Sequence, residues 1–215
     1  MDKLTNLNID ENVLKPSKAI EIVLPNGQNL TKVAPNKRKK EVIKYLKPEE
    51  VRTLLTVIYP RNYEHWFMFN LAYRLGLRVT EVLTLEKGFY DPFTHTLTIK
   101  HLKSRRFEFR TVPLPEDIEM LIKGFFAMYK SEDKLFNYSR QRVHQLTKKY
   151  SQLAGLPSWV HFHTLRHSFA MNYYNQTNDT FGLRKLLGHS RLSTTNIYAE
   201  MTQADLREKI NSIKY

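Results

Sequence analysis

The chain contains no cysteine, which excludes disulfides and thiolate zinc sites. It has no apolar run long enough to span a bilayer, and Met1 to Asp10 lacks the pattern of a secretory signal. A cytoplasmic protein is expected. No internal repeat is visible. Glycine is sparse, at 7 residues, and Gly76, Gly155 and Gly188 each stand where a helical pattern runs out. Acidic residues are also short: 21 Asp and Glu face 34 Lys and Arg, for a net charge of +13. That balance points to a polyanionic partner. No basic amphipathic helix dominates, which argues against an anionic lipid surface. Apolar residues make up 41% of the chain, enough for a packed core.

The sequence reads in three parts. Residues 1–44 form an arm or linker, rich in Asn, Lys and Pro, with a strand-like run from Ala19 to Leu24 before the turn Pro25-Asn26-Gly27. Its basic cluster Asn36 to Lys40 suits either phosphate contact or plain solvation. The main domain spans 45–200. It opens with Pro48, Glu49 and Glu50 as a helix start, and Val51, Leu54, Leu55 and Ile58 recur at helical spacing up to Pro60. A second helix runs from Tyr63 to Leu75, and Val79 to Leu85 begins a third. Thr96 to Lys100 and Phe107 to Val112 alternate as a hairpin around the basic turn Lys103-Ser104-Arg105-Arg106. Helices are expected at about 115–130, 139–154, 164–175, 180–187 and 203–213, the last within a C-terminal segment 201–215. The fold class is mainly α with a small antiparallel β-sheet.

Four short motifs carry chemistry. Gly76-Leu77-Arg78-Val79-Thr80-Glu81 places Glu81 on the helical face of Arg78, where it can support that side chain. His163-Thr164-Leu165-Arg166-His167 supplies a second arginine and two imidazoles, Leu186-Leu187-Gly188-His189 a third, and Tyr198 follows. Arginine suits a phosphodiester because its fork is always charged and binds two oxygens at once. His163 and His167 lie four residues apart, as two metal ligands on a helix would. The absence of a His-Glu-x-x-His pattern and of cysteine makes metal the weaker reading.

In this order the motifs resemble the tyrosine recombinase (phage integrase) family, over roughly residues 45–200. The resemblance implies DNA cleavage and rejoining without metal, nucleotide or other cofactor. Arg78 and Arg166 would grip the scissile phosphate, with His163 and His189 as imidazole donors or acceptors. Tyr198 would attack phosphorus, giving a 3′-phosphotyrosine. Lys103 matches the family's hairpin lysine, which protonates the leaving 5′-oxygen; Lys100 is the alternative. Lys100, Arg105, Arg106 and Arg110 are expected to track the DNA backbone. Partners by resemblance are double-stranded DNA, a homo-tetramer on paired sites and accessory DNA-bending proteins, with the terminal helix exchanged between subunits. Integration, excision or inversion, as in mobile elements, would place the protein at the nucleoid.

Two rivals share much of this reading. One is a DNA-binding regulator on a recombinase scaffold. The other is a type IB topoisomerase, although His163 favours the recombinases, since topoisomerases commonly carry lysine there. The family usually places a helical core-binding domain before the catalytic one. The 44 residues here are too few for that bundle, so the chain is expected to be a short recombinase or one shorn of its front half.

Overall fold

A computed structural model describes residues 21–23, 29–31, 43–103, 106–128 and 134–188. The chain divides into two units, Met1–Val42 and Ile43–Tyr215. In the first, β1 (Glu21–Val23) pairs antiparallel with β2 (Asn29–Thr31). β1 falls inside the run expected to be a strand, whereas β2 was not anticipated.

The second unit carries the helices. α1 (Pro48–Ile58) starts where Pro48 fills a first-turn position that needs no N–H donor. The Glu50 carboxylate accepts the Lys47 N–H at 2.7 Å, and Val51, Leu54 and Ile58 turn inward. α2 (Tyr63–Arg74) is capped by Asn62, which accepts the His65 N–H at 2.7 Å. It is the central helix: residues 67 to 72 are all buried, and it packs against α1, α3 (Val79–Leu83) and α6 (Phe162–Thr177). α2 ends at Gly76, whose φ of +61° is left-handed. A β-carbon there would meet Phe169 Cδ1 at 2.5 Å and Leu187 Cδ2 at 2.8 Å, so both the turn and the packing require glycine.

A three-stranded antiparallel sheet follows, in the order β3 (Tyr90–Asp91), β4 (Thr96–Lys103), β5 (Arg106–Pro113). The hairpin pairs Lys103 with Arg106 and Ile99 with Arg110. Leu97 and Ile99 of β4 and Val112 of β5 enter the core, while Phe109 is exposed. The expected hairpin is present but longer by several residues, and the short β3 was missed.

α4 (Glu116–Met128) and α5 (Arg140–Leu153) follow, the latter capped by Ser139, which accepts the Arg142 N–H at 3.1 Å. The spacing of Val143, Leu146, Tyr150 and Leu153 predicts one buried face on α5; the first three are buried, whereas Leu153 in the last turn is exposed. α7 (Thr180–Leu187) is capped by Asp179 and closed by Gly188, left-handed at φ +64°. One core unites α1 to α6 and the sheet. A smaller cluster of Ala170, Met171, Leu183 and Leu187 joins α6 to α7 and takes in Ile43 and Tyr45. The helix expected at 203–213 lies outside the described residues. No helix among the described residues is long and apolar enough to cross a membrane.

Candidate active site

Three segments distant in sequence meet at one carboxylate. Glu81 sits in the first turn of α3 and is completely buried. Its Oε2 accepts the Arg78 backbone N–H at 2.9 Å, and its Oε1 accepts Arg78 Nη1 at 2.7 Å. The Gly-Leu-Arg-x-x-Glu motif is thus a helix start in which the glutamate reaches back to the arginine that precedes the helix. Arg110 approaches from β5, with Nη1 donating to Oε1 at 2.8 Å and Nη2 to Oε2 at 3.1 Å. Arg166 stands behind, its Nη1 3.6 Å from Oε2.

Burial alone would raise the Glu81 pKa. The Arg110 hydrogen bond and charge, then the charge of Arg166 and the Arg78 backbone N–H, outweigh it and hold the carboxyl down to about 2. The cluster therefore contains three guanidinium charges and one carboxylate. It keeps an excess of positive charge inside the fold, which suits an anion.

Arg78 is about a third exposed, at 34%, and Arg166 is buried, at 1%. Arg166 Nη1 donates to the Gly76 carbonyl and Nη2 to the Leu187 carbonyl, each at 2.7 Å. These carbonyls close α2 and α7, where a helix leaves its last acceptors unpaired and favours positive charge. The two family arginines converge on Glu81, one open to solvent and one beneath.

His163 lies on the outer side of α6, its ring edge-on to His167 with centroids 4.6 Å apart. Partial burial, then the positive surroundings of His167, Arg166, Arg78 and His161, lower its pKa from 6.5 to about 4. His163 is therefore neutral near pH 7 and able to accept a proton or a hydrogen bond. His167 is also lowered to about 4, by burial first and then by His161 and Arg166. Its half-buried ring packs edge-on against His163. Among the described residues no three His, Cys, Asp or Glu side chains converge as metal ligands.

The remaining expectations divide. Lys103 ends β4 opposite Arg106, and Lys100 pairs with Phe109. The Lys100 carbonyl lies 3.4 Å from Thr84 Oγ1, so β4 runs beside α3. Arg105, His189 and Tyr198 lie outside the described residues. Arg110 corrects the sequence reading. Expected to track DNA, it is 9% exposed, and each of its three nitrogens donates to protein, Nε reaching the Leu186 carbonyl at 3.0 Å. It shares the core face of β5 with Val112 two residues on. The helix at α5 was expected, but not its basic outer face, which carries Arg140, Arg142, His144, Lys148 and Lys149, all exposed.

A mainly helical domain with this sheet and this arginine–glutamate–histidine cluster is the catalytic-domain fold of the tyrosine recombinases. The chain belongs to the phage integrase family, whose family model matches residues 44–205. Among its relatives is the tyrosine recombinase XerA of Thermococcus onnurineus, 36% identical over 190 residues, covering 82% of this chain and 65% of that protein. The chain thus spans about two thirds of the length of the curated relatives it matches. The crystal structure of a XerA recombinase superposes with a TM-score of 0.68 at 20% identity, covering 82% of this chain and 68% of the other. The catalytic domain of bacteriophage HP1 integrase gives 0.61 at 24% identity, covering 80% and 95% respectively.

Proposed function

We propose that this chain is a site-specific DNA recombinase that cuts and rejoins DNA through a 3′-phosphotyrosine. The observation that carries the proposal is the buried Glu81 with Arg78, Arg110 and Arg166 around it and neutral His163 nearby, in a chain of this family. Such a cluster keeps positive charge fixed before substrate arrives, and fixed charge is what a five-coordinate phosphorane needs.

In this reading the scissile phosphate docks at exposed Arg78, with Arg166 lending its charge from beneath. Tyr198 Oη attacks phosphorus, the P–O5′ bond breaks, and the phosphate stays on the 3′-oxygen, now esterified to tyrosine. His163 or His189 hydrogen-bonds the phosphoryl oxygens or takes the phenolic proton. Lys103 gives a proton to the departing 5′-oxygen, and a 5′-hydroxyl from another strand reverses the sequence. The ester conserves the bond energy. Residues 45–200 act as the catalytic domain, with 1–44 as arm and 201–215 as a helix exchanged between protomers of a tetramer on paired DNA sites. A XerH recombinase has been crystallised with its difH substrate before and after cleavage, in keeping with DNA as the partner.

The test is incubation with nicked duplexes drawn from sequence flanking the gene, resolved under denaturing conditions. A protein–DNA adduct at one position supports the proposal. Retained binding with no adduct on any duplex favours a regulator, and relaxation of any supercoiled plasmid by monomer favours a topoisomerase.

A further inference from the structure

Arg110 connects the hairpin to the end of α7. Its Nε donates to the Leu186 carbonyl, and its other two nitrogens clasp Glu81. A β-carbon on Gly188 would meet Arg110 Cδ at 3.0 Å, so the arginine shaft lies directly against that left-handed turn. Arg166 likewise links Glu81, at 3.6 Å, to the next carbonyl, that of Leu187, at 2.7 Å. Two adjacent carbonyls in the last turn of α7 are therefore fastened to one buried carboxylate by two guanidinium bridges. The next residue after Gly188 is His189.

From this geometry we infer that Arg110 is a positioning residue, which sets the turn at Gly188, one residue before His189 in the sequence, and carries no phosphate contact of its own. The inference rests on the recombinase reading for its effect on chemistry, and on the geometry alone for its effect on the turn. Lysine cannot replace it, because one ammonium does not span both carboxylate oxygens and a carbonyl on the far side. In the recombinase reading His189 works from beside this turn, so loosening the turn is expected to slow adduct formation, a misplacement of about 1 Å being worth about a hundredfold in rate.

The experiment compares the full chain with Arg110→Lys and Arg110→Gln. Amide hydrogen exchange reports on the turn whether or not the protein cleaves DNA. Faster exchange at Leu187 and Gly188, with α2 amides unchanged, is expected in both variants; unchanged exchange at the turn overturns the inference. Single-turnover adduct formation at saturating nicked DNA is expected to fall about a hundredfold in either variant. In a His189→Ala background the same Arg110 substitutions are expected to cost little more, because both act through one group. Equal losses in both backgrounds indicate a general structural role and overturn the inference. So does an unchanged saturated rate with the log–log salt slope of DNA binding reduced by about 0.9, the signature of one lost phosphate contact. Absence of any adduct with the unaltered chain defeats the recombinase reading instead, and the exchange measurement then decides whether Arg110 holds the turn.

Discussion

Arg166 donates to the Leu187 carbonyl over 2.7 Å, tying the second turn of α6 to the last turn of α7. Through the Gly76 carbonyl the same guanidinium also holds the end of α2. The arginine proposed to stand behind the scissile phosphate is thus also a structural pin, and the two roles make different demands on a substitution.

Arg166→Ala is expected to destabilise the fold by about 2–5 kcal/mol, because it leaves the buried Gly76 and Leu187 carbonyls without their donor, while Glu81 keeps Arg78 and Arg110. Arg78→Ala, at a partly exposed site, is expected to cost little stability. It is expected to slow cleavage about a hundredfold, the loss of about 3 kcal/mol of fixed charge stabilisation. Urea unfolding together with adduct kinetics separates the two; equal midpoints for both variants would contradict the assignment.

Glu81 makes acid stability distinctive. Its folded pKa, about 2, lies below its ordinary value of 4.5. A depressed carboxyl contributes stability that is present above the ordinary value and is lost as pH falls through the folded one. Urea midpoints of the natural chain are expected to fall between about pH 4.5 and pH 2. Glu81→Gln is expected to be less stable at neutral pH, with a flatter profile across that window.

The histidines act at higher pH. His163 and His167 are lowered from 6.5 to about 4, so the folded state binds fewer protons than the unfolded one in that interval. Stability is expected to fall as pH drops from about 6.5 towards 4, above the Glu81 window. Imidazole NMR signals that titrate near 4 confirm it; titration of both rings near 6.5 contradicts it.

Much of this was legible in the sequence, for local reasons. Helix starts at Pro48 and Ser139 and ends at Gly76 and Gly188 rest on caps and left-handed turns read within a few residues. What escaped depends on partners far along the chain. Arg110 reads as one more basic residue near a basic turn, and only its pairing with Glu81, 29 residues earlier, makes it internal. Strand alternation held a clue, since Val112 faces the core and Arg110 shares its face. Burial of Arg166 was hidden in the same way, because its partners close two other helices. β3 has two residues, too few for any period.

Lys103→Ala is expected to regain cleavage on DNA with sulfur in place of the bridging 5′-oxygen, because a thiolate leaves without a general acid. Lys100→Ala is expected to show no such selective gain. Rescue of Lys100→Ala instead moves the proton donor along β4.

The most direct measurement is Tyr198→Phe on a nicked cognate duplex, with the adduct resolved under denaturing conditions and the attached peptide read by mass spectrometry. The substitution removes one oxygen and keeps the ring. The natural chain is expected to become joined to DNA through Tyr198, and the Phe variant to bind the same duplex with similar affinity yet form no adduct. A denaturant-resistant adduct with the Phe variant would contradict the assignment of Tyr198 as nucleophile.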